Sequence, residues 1–380
     1  MKIIYISPSL IPSNTANSIH VINQVKAFQA LNYEITLFAA RSIFRKNLFR
    51  KKLYERYDAK IKRLKTIYLP NKKLNELLIG LYAIFFCFFD KDKYIISRNL
   101  YASFILSLIY NGIHIYEVHE LFTGYQMFLQ KRIFKKKKIK FLAISDSLAR
   151  NIMKKYNINP NQIKVIHDAA PSDLEIVEKK FKGITISQLL LLDKNYLNSF
   201  KGVCVYSGSF GEGRGLEIIE EISKKLVDVL FIVVGGTDKE LASRLKNLKN
   251  KNIIFTGFKK YKLALKIAAC ADILLMPYQK KVILGNKKRD VSMTMSPLKM
   301  FEYMGLKVPI ISSDLPVLKE VLINKFNAIL VESDNIESWC AAIYSLLSDE
   351  YLSHQIAENA NKNMLGNYTW EVRAKKILES

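Results

Sequence analysis

The sequence predicts an α/β protein with two Rossmann-like domains, each a parallel sheet covered by helices. Predicted strands and helices alternate before residue 170, and the same alternation restarts after residue 202. The chain has 380 residues, which is more than one ordinary hydrophobic core holds. We therefore expect two domains that face each other across a deep cleft, a natural site for a two-part ligand.

The domain boundaries follow from where this alternation stops. We expect an N-terminal domain over residues 1–170, a linker over residues 171–201 and a second Rossmann-like domain over residues 202–361. Residues 362–380 are predicted to include a last helix that packs back on the N-terminal domain.

The N-terminal domain begins with a β–loop–α–β unit, the unit of a doubly wound sheet. Its predicted parts are the strand Ile3–Ser7, a polar loop, the helix Ile19–Leu31 and the strand Glu34–Ala40. The loop lacks the glycine-rich turn of a dinucleotide site. The run at the N-terminus is too short for a signal peptide and is predicted to be the first strand.

His119 is the best placed of the five histidines. It follows the predicted strand Ile113–Val118, and ligands of open α/β sheets bind at the carboxyl ends of the strands. A single histidine is nevertheless more often structural than catalytic. Further strands are predicted at Tyr94–Ser97, Phe141–Ile144 and Ile163–Ile166.

The net charge of +25 is uneven, because residues 1–170 contain 29 Lys and Arg against 10 Asp and Glu. The segment Arg41–Lys73 combines basic residues with aromatic and leucine side chains, which allows an amphipathic helix at a membrane surface. The alternative is a helix that covers the sheet with a solvated basic face. A second basic cluster comprises Lys131, Arg132 and Lys135 to Lys138. Such clusters favour anionic partners, and without an aromatic-interleaved recognition module we disfavour nucleic acid.

No predicted segment spans a membrane. The uncharged run Leu77–Phe89 has 13 residues, where about 20 are needed, so we expect a buried or interfacial helix. The four cysteines are scattered in apolar surroundings, which favours free thiols in a reducing cytosol over disulfides or a zinc site. Together these features predict a cytoplasmic protein, peripheral at the inner face of the cell membrane.

The second domain begins with a strand, a glycine-rich loop and a helix. The loop Gly208–Gly215 follows the strand Val203–Tyr206 and contains Arg214. Glycines let a backbone approach an anion, and a guanidinium binds it with a forked donor. The spacing differs from a P-loop, and a tight turn with a solvated arginine would explain the pattern about as well. Later strands end at Gly235 and Gly257, and another is predicted at Ala271–Met276.

The segment Ser296–Gly305 predicts a short helix whose N-terminus suits phosphate. Ser296 is expected as the N-cap, Pro297 as the first helical residue and Gly305 as the stop. Lys299 and Glu302 lie three residues apart, on one helix face. They would serve the diphosphate and the sugar hydroxyls of a nucleotide, or else form a solvated ion pair.

In order and spacing, these motifs resemble the glycosyltransferases of family 4, which have the GT-B fold. The resemblance covers nearly the whole chain. The matching segments are Asn17 to Val21, Glu117 to Glu120, Ile144 to Ser147, Gly208 to Gly215, Ala271 to Pro277, and Ser296 to Gly305 in the Ser-Pro-Leu-Lys variant of the donor helix.

The resemblance implies a retaining, metal-independent transfer of a sugar from a nucleotide sugar to a glycan or lipid-linked acceptor, without a cofactor. Its implied catalytic residues are His119, Arg214, Lys299 and Glu302. The implied donor-binding set is Gly208, Ser209, Gly211, Gly213, Arg214, Gly235, Gly257, Ser296, Pro297, Leu298, Lys299 and Glu302. Asn17, Ser18 and His20 are implied on the acceptor side.

Two positions depart from the family pattern. Thr294 stands where many members have a second glutamate, and Ser209 stands where many have an arginine. Asp290 or Arg289 could compensate. The departures keep two alternatives open: a nucleotide-sugar epimerase of the same fold, and a non-catalytic membrane-surface protein with a decayed donor site.

Overall fold

The computed structural model describes residues 2–43, 45–57, 59–68, 72–88, 93–174, 185–246, 248, 250–284 and 289–379. It divides into two compact units. The first unit comprises Met1–Asp168 and Trp370–Ser380, and the second comprises Ala169–Thr369. The second unit is therefore a continuous segment, whereas the first is built from two separate parts of the chain.

The first unit contains a seven-stranded parallel sheet with the order β3-β2-β1-β4-β5-β6-β7. Its strands are β1 (Lys2–Ile11), β2 (Glu34–Arg41), β3 (Arg63–Ile67), β4 (Lys93–Ser97), β5 (His114–Val118), β6 (Lys140–Ala143) and β7 (Ile163–Val165). Its helices are α1 (Ala16–Ala30), α2 (Lys46–Tyr57), α3 (Lys72–Phe88), α4 (Leu100–Ile109), α5 (Gly124–Phe134) and α6 (Asp146–Tyr156).

Local sequence explains where several of these helices begin and end. The side chain of Asn99 accepts the N–H of Ala102 and starts α4, and Ser145 likewise accepts the N–H of Leu148 and starts α6. Asn157 ends α6 in the left-handed conformation, which asparagine tolerates. Both faces of the sheet are buried, as the continuous apolar runs of its central strands predict.

The last helix of the chain belongs to the first unit, although it follows the whole second unit in sequence. This helix, which we number α15 (Trp370–Leu378), packs on α1 and buries Trp370 and Arg373. The predicted segment 362–380 is therefore divided, because residues up to Asn367 belong to a long helix of the second unit.

The second unit contains a six-stranded parallel sheet with the order β10-β9-β8-β11-β14-β15, and a small hairpin β12-β13. Its strands are β8 (Val203–Gly208), β9 (Leu230–Gly235), β10 (Ile253–Gly257), β11 (Ile273–Met276), β12 (Ile283–Leu284), β13 (Arg289–Asp290), β14 (Ile310–Ser313) and β15 (Ile329–Val331). Its helices are α7 (Ile186–Leu190), α8 (Lys194–Asn198), α9 (Leu216–Lys225), α10 (Asp238–Leu245), α11 (Tyr261–Ala269), α12 (Leu298–Gly305), α13 (Ile336–Ser348) and α14 (Glu350–Asn367).

The structure corrects the predicted reading of Arg41–Lys73 as one amphipathic helix. The segment contains α2, then β3 at the edge of the sheet, and then the start of α3. Lysine and arginine do not distinguish a helix from an exposed edge strand, because both tolerate charged side chains. The predicted linker 171–201 contains α7 and α8, and residues 175–184 of it lie outside the described residues.

The apolar segment Leu74–Phe89 forms most of α3, as expected, and Phe89 lies outside the described residues. One face of α3 enters the core through Ile79, Ala83 and Cys87. Leu81 and Phe85 on the opposite face are 44% and 60% exposed. Within the described part of the chain, no helix has the length and apolarity needed to cross a membrane.

Candidate functional site

In the second unit, the glycine-rich loop and α12 meet at the carboxyl edge of the sheet. Gly208 is the last residue of β8, and Tyr278 lies just beyond the end of the neighbouring β11. Ligands of open α/β sheets bind at this edge. Arg214 and Lys299, predicted from two separate motifs, meet there at the ring of Tyr278, and Glu302 follows Lys299 on α12.

Lys299 places its ammonium in an aromatic and cationic environment. Its Nζ lies 3.7 Å from the ring centroid of Tyr206 and 5.3 Å from that of Tyr278. Nζ is buried, and no hydrogen-bond partner for it is found among the described residues. Burial, with the charge of Arg214 added, lowers the pKa of Lys299 well below its usual value. Glu302 acts in the opposite direction, so the ammonium has a carboxylate in its surroundings but no hydrogen-bonded counter-ion.

Arg214 shares the aromatic contact of Lys299. Its guanidinium carbon lies 5.3 Å from the ring centroid of Tyr278, on a loop closed by the Arg214 N–H donating to Gly211 O at 3.2 Å. Arg214 Nε is buried, and within the described ranges it has no hydrogen-bond partner. Two cations therefore share one ring, which is the arrangement expected where an anion completes the charge balance.

Glu302 follows on the same helix and is held by a tyrosine of α11. Tyr261 donates its hydroxyl to Glu302 Oε1 at 2.8 Å. Burial raises the pKa of Glu302, while the hydrogen bond from Tyr261 and the charge of Lys299 act in the opposite direction. The next residue, Tyr303, accepts the backbone N–H of Ser207 at 2.8 Å and so joins α12 to β8.

Gly208 gives Lys299 the space that it occupies. A Cβ at Gly208 would lie 2.6 Å from Lys299 Nζ, which is closer than van der Waals contact allows. Gly213 and Gly215 have φ near +80°, and a Cβ at either would strike a backbone carbonyl oxygen, Lys281 O at 1.9 Å or Pro277 O at 1.7 Å. The glycines thus let the loop pack closely on the segment after β11.

The other predicted loop residues differ in their placement. Gly235 pairs with Gly208 in the sheet, and a Cβ there would lie 1.9 Å from Gly208 O. Gly257 ends β10, two strands away from β8. A Cβ at Gly211 would lie 4.0 Å from Ile283 O, an ordinary contact distance. Ser209 is exposed, and its carbonyl accepts the Tyr206 hydroxyl at 2.8 Å.

The predicted start of the donor helix is wrong, whereas its last helical residue is Gly305, as predicted. The helix α12 begins at Leu298 with Pro297 as its N-cap, so Ser296 lies one residue outside and does not serve as the cap. Leu306 is the C-cap. The Gly305 carbonyl accepts the buried Asn361 side chain at 3.0 Å, and a Cβ at Gly305 would meet Met364 and Leu174. Gly305 therefore serves close packing.

The two departures from the family pattern lie outside α12, and Thr294 comes just before it. The Thr294 N–H donates to Val291 O at 3.0 Å in a turn. Asp290, a possible substitute for the missing glutamate, accepts the N–H groups of Val282 and Ser292 at 3.0 and 2.9 Å. Its carboxylate therefore closes the β12-β13 hairpin.

In the first unit, His119 lies at the carboxyl end of β5 and belongs to a buried network. His119 Nε2 is 2.9 Å from Glu117 Oε1, and Nδ1 is 3.2 Å from Nη2 of Arg98, which follows β4. Burial, with Arg98 as the next cause, lowers the pKa of His119 to about 4. The imidazole is therefore neutral at physiological pH.

Glu117 is the centre of this network and is 1% exposed. Arg373 of α15 donates Nη2 to Glu117 Oε1 at 2.6 Å and Nε to His167 O at 3.0 Å, and its Nη1 donates to Gln24. Burial would raise the pKa of Glu117, but Arg373 and Arg98 hold it well below its usual value. The carboxylate is therefore ionised.

The predicted acceptor-side residues are mostly occupied by protein contacts. His20 Nε2 lies 3.1 Å from Glu117 Oε1, and Nδ1 lies 2.9 Å from Asp168 Oδ1. The Ser18 hydroxyl donates to the carbonyls of Ser13 and Thr15. Asn17 is exposed in the first turn of α1.

No metal-ligand cluster is apparent in the sequence, yet the structure brings three potential ligand atoms together. Those of His20, Glu117 and His119 lie within 4.8 Å of one another. The shared Glu117 oxygen already accepts the Arg373 guanidinium at 2.6 Å, so a divalent cation there would stand beside a fixed positive charge. The donor set therefore fits a metal ion poorly.

Sequence reasoning did not single out Tyr206, Tyr278, Tyr261, Arg98, Asp168 or Arg373 as site residues. Tyr278 and Arg98 stand just after strand ends, which is a signal that could have found them, whereas Tyr206 lies within β8. Arg373 gives no such signal, because it reaches Glu117 across 256 positions of sequence.

Comparison with known proteins identifies the type of the second unit. Residues 194–363 match the family described as Glycosyl transferases group 1, so this region is a domain of that type. Among curated proteins, chitobiosyldiphosphodolichol beta-mannosyltransferase of Candida albicans is 22% identical over 254 residues, which covers 63% of this chain and 53% of that protein. The matched part thus spans about half the length of that relative.

Solved structures resemble the whole chain. A structure of the Anabaena protein HepE in complex with UDP has a TM-score of 0.71 at 14% identity, covering 100% of this chain and 99% of that one. A glycosyltransferase from Rickettsia africae has a TM-score of 0.73 at 17% identity, covering 100% and 97%. At these identities the likeness shows the fold, and it confirms the predicted α/β class, GT-B with two Rossmann-like domains. The cleft between the domains stays a prediction.

Proposed function

We propose that this protein is a glycosyltransferase that transfers a sugar from a nucleotide-sugar donor to a lipid-linked or cell-surface glycan precursor. The observation that carries the proposal is the pair of cations Lys299 and Arg214, which share the Tyr278 ring beside Glu302. This pair lies in the domain that matches Glycosyl transferases group 1. A diphosphate would supply the negative charge that the two side chains lack.

The donor roles follow from the chemistry of each group. Lys299 and Arg214 bind the diphosphate, and backbone N–H groups at the start of α12 add to this binding. The same charges stabilise the phosphate as it leaves, and positioned charges of this kind often contribute more to catalysis than any other effect. Glu302 accepts hydrogen bonds from the ribose hydroxyls. The presence of UDP in the HepE structure supports a nucleoside diphosphate as the ligand class.

We propose transfer with retention and without a metal. The acceptor oxygen forms its bond to the anomeric carbon on the face from which the phosphate departs, and the acceptor proton passes to that phosphate. We assign no carboxylate nucleophile, so this same-face substitution is preferred to a double displacement. His119 contacts the transferred sugar in this scheme.

The acceptor side is assigned to the first unit and to an anionic membrane surface. Exposed aromatic residues are followed by exposed cations along α5: Tyr125 is 71% exposed, Phe128 is 49% exposed, and Lys131 and Arg132 come after them. Aromatic rings and basic side chains on one surface favour the interface of an anionic bilayer. We therefore propose a peripheral position at the cytoplasmic face of the membrane.

The decisive experiment is a binding and turnover screen of the purified full-length chain. We expect a nucleoside diphosphate to raise the melting temperature, because a ligand that binds only the folded state stabilises it. The matching nucleotide sugar should be hydrolysed or transferred, and Arg214→Ala and Glu302→Ala should each abolish turnover. A broad donor panel that yields neither binding nor turnover would refute the proposal.

The same purified protein also distinguishes the proposed function from two alternatives. Ser209 and Thr294 replace charged residues of the family pattern, which favours a non-catalytic binding protein if no donor is bound. An epimerase would convert its nucleotide sugar without any acceptor present. The anomeric configuration of a transfer product, read by NMR, tests retention.

A further inference from the structure

Arg98 determines which nitrogen of His119 carries the proton. A guanidinium is always a donor and never an acceptor. Because Arg98 Nη2 lies 3.2 Å from His119 Nδ1, that nitrogen must accept. The ring proton is then on Nε2, which donates to Glu117 Oε1 at 2.9 Å. Both nitrogens are thus occupied within the first unit.

Arg373 in turn keeps Glu117 ionised, so that its carboxylate can accept the hydrogen bond from His119 Nε2–H. Glu117 and Arg373 are 1% and 2% exposed, and an unpaired carboxylate at that depth would be strongly destabilising. Tyr5 donates its hydroxyl to the second carboxylate oxygen at 3.1 Å. The orientation of His119 therefore depends on a helix that follows it by about 250 residues.

We propose that Arg98, Glu117 and Arg373 are positioning residues that hold His119 as a neutral Nε2–H tautomer, so that His119 offers the reaction a fixed ring and not a proton. This inference rests on the proposed function. The side chain of His119 is 23% exposed, and with both nitrogens engaged its contacts to a ligand come from ring carbons. In this arrangement neither ring nitrogen is free to serve as a general acid or base.

The surrounding charges support a neutral ring. The ionisable groups that act on His119 directly are Arg98, Glu117, His20 and Asp168. Arg373 and Tyr5 contact Glu117 and act through it. Burial and Arg98 lower the pKa of His119 to about 4, against the opposite effect of Glu117. Transfer activity should therefore show no titration of His119 between pH 6 and pH 8.

The tautomer can be read directly from the full-length chain labelled with ¹⁵N-histidine. Long-range ¹H–¹⁵N correlation spectra should show His119 as a neutral Nε2–H ring from pH 6 to pH 8. An Nδ1–H pattern, or a ring that titrates in this range, would overturn the proposal. This measurement needs neither a donor nor a variant, so it stands even if the proposed activity is not found.

Variants at Arg98 then test the positioning role. Arg98→Met removes the donor to Nδ1, and Arg98→Lys keeps one. We expect Arg98→Met to keep the Nε2–H that Glu117 accepts but to free Nδ1 for protonation, with a raised His119 pKa and a roughly 10- to 100-fold lower kcat, as for loss of a positioned group. KM for the nucleotide sugar and Kd for the nucleoside diphosphate should stay within about twofold, since those groups lie in the second unit. Arg98→Lys should lower the His119 pKa again and restore most of kcat.

Two results at Arg98 would contradict the inference. An Arg98→Met protein whose His119 pKa stays at the wild-type value would show that Arg98 does not keep the ring neutral. A raised pKa with unchanged kcat would show that the state of His119 has no part in transfer. If Arg98→Met does not fold, the wild-type spectrum alone decides the tautomer.

Discussion

Lys299 illustrates how one side chain can serve binding at the expense of folding. Its ammonium is buried over Tyr206, and none of the described residues offers it a hydrogen bond. A desolvated cation–π contact contributes about 2 kcal/mol, whereas a buried charge without a hydrogen-bonded partner is destabilising by several kcal/mol. The position is therefore explained by a ligand that supplies negative charge.

Lys299→Met should make the unliganded protein more stable and its nucleotide site weaker. We expect a gain of about 1–2 kcal/mol in the free energy of unfolding, since Met fills the space without a charge. Affinity for the nucleoside diphosphate should fall roughly 10- to 100-fold with the loss of a charge-assisted hydrogen bond. Calorimetry and chemical denaturation measure both quantities.

The pH dependence of stability provides an independent check on the same residue. The folded pKa of Lys299 lies below the unfolded value of 10.5, so between the two the unfolded chain binds one more proton. Stability should therefore rise with pH in that window, and Lys299→Met should lack this rise. The exposed Lys224→Met is the matched control, expected within about 0.5 kcal/mol of wild type. A less stable Lys299→Met protein with unchanged affinity would contradict the assignment.

At the scale of single residues, the sequence was enough to identify the charged residues of the donor site but not the side chains that contact them. Arg214, Lys299 and Glu302 lie in short motifs whose residue types and spacing indicate their chemistry. Tyr206 and Tyr278 belong to apolar runs, where a tyrosine that packs in the core cannot be told from one that faces a ligand. The network of Glu117, Arg98 and Arg373 depends on contacts between distant segments, which no local pattern encodes.

Among the elements, the loop Gly208–Gly215 and α12 fit together because Gly208 has no side chain. A Cβ at Gly208 would lie 2.6 Å from Lys299 Nζ and 2.9 Å from the Tyr206 hydroxyl. The end of a lysine chain moves easily, so the lysine and not the backbone would yield. The loop thus determines where the helix presents its cation.

Gly208→Ala should therefore impair nucleotide binding with little effect on folding. We expect the free energy of unfolding to change by about 1 kcal/mol or less. The strain caused by the added methyl group is partly offset, because alanine loses less conformational entropy on folding than glycine does. Affinity for the nucleoside diphosphate should fall about 10-fold or more, since Lys299 would leave its place. Titration calorimetry on the full chain measures this.

Gly366→Ala is the control for Gly208→Ala, because a Cβ added at Gly366 would meet no atom within 4 Å and the residue belongs to α14. It should bind the nucleotide as wild type does. A Gly208→Ala protein with wild-type affinity would show that the position of Lys299 does not depend on this glycine.

The boundaries of α12 and the segment Arg41–Lys73 show why the limits of elements are harder to predict than their existence. Ser296 has the residue type of a helix start, but α12 begins at Leu298, and its predicted end at Gly305 is stabilised by Asn361 from another helix. In Arg41–Lys73, the spacing of apolar residues fits a helix and an edge strand. Tertiary contacts decide both cases, and they are not visible in a local pattern.

At the scale of the whole molecule, basic charge concentrates in residues 1–170, with 29 Lys and Arg against 10 Asp and Glu. The aromatic and cationic surface of α5 belongs to this part of the chain, and Arg132 stacks on Phe128 at 4.9 Å. The proposed membrane contact would combine this surface with the long-range attraction of the surplus charge.

The membrane proposal predicts binding to anionic vesicles that weakens with salt. Each basic residue at the surface contributes about 1 kcal/mol, so Arg132→Glu with Lys135→Glu should reduce the partition coefficient roughly 30-fold or more. Neutral phosphatidylcholine vesicles should bind little protein. Vesicle flotation at several salt concentrations measures the effect.

The control for these charge reversals is Lys239→Glu with Lys246→Glu, which makes the same change in net charge on the exposed surface of α10 and its C-cap. If both double variants lose binding equally, net charge and not α5 is responsible. Equal binding to neutral and anionic vesicles would reject the electrostatic contact.

The alternation of strands and helices was sufficient to predict two parallel sheets, because that pattern repeats locally along the chain.

The return of α15 to the first unit has consequences for synthesis. Glu117 leaves the ribosome 256 residues before Arg373, and the whole of Ala169–Thr369 is made in between. During that interval the first sheet has a carboxylate at its centre without its main counter-ion. We expect the nascent first unit to stay open to proteases and chaperones until its last helix arrives, so that a prematurely terminated chain is removed before it can bind a substrate.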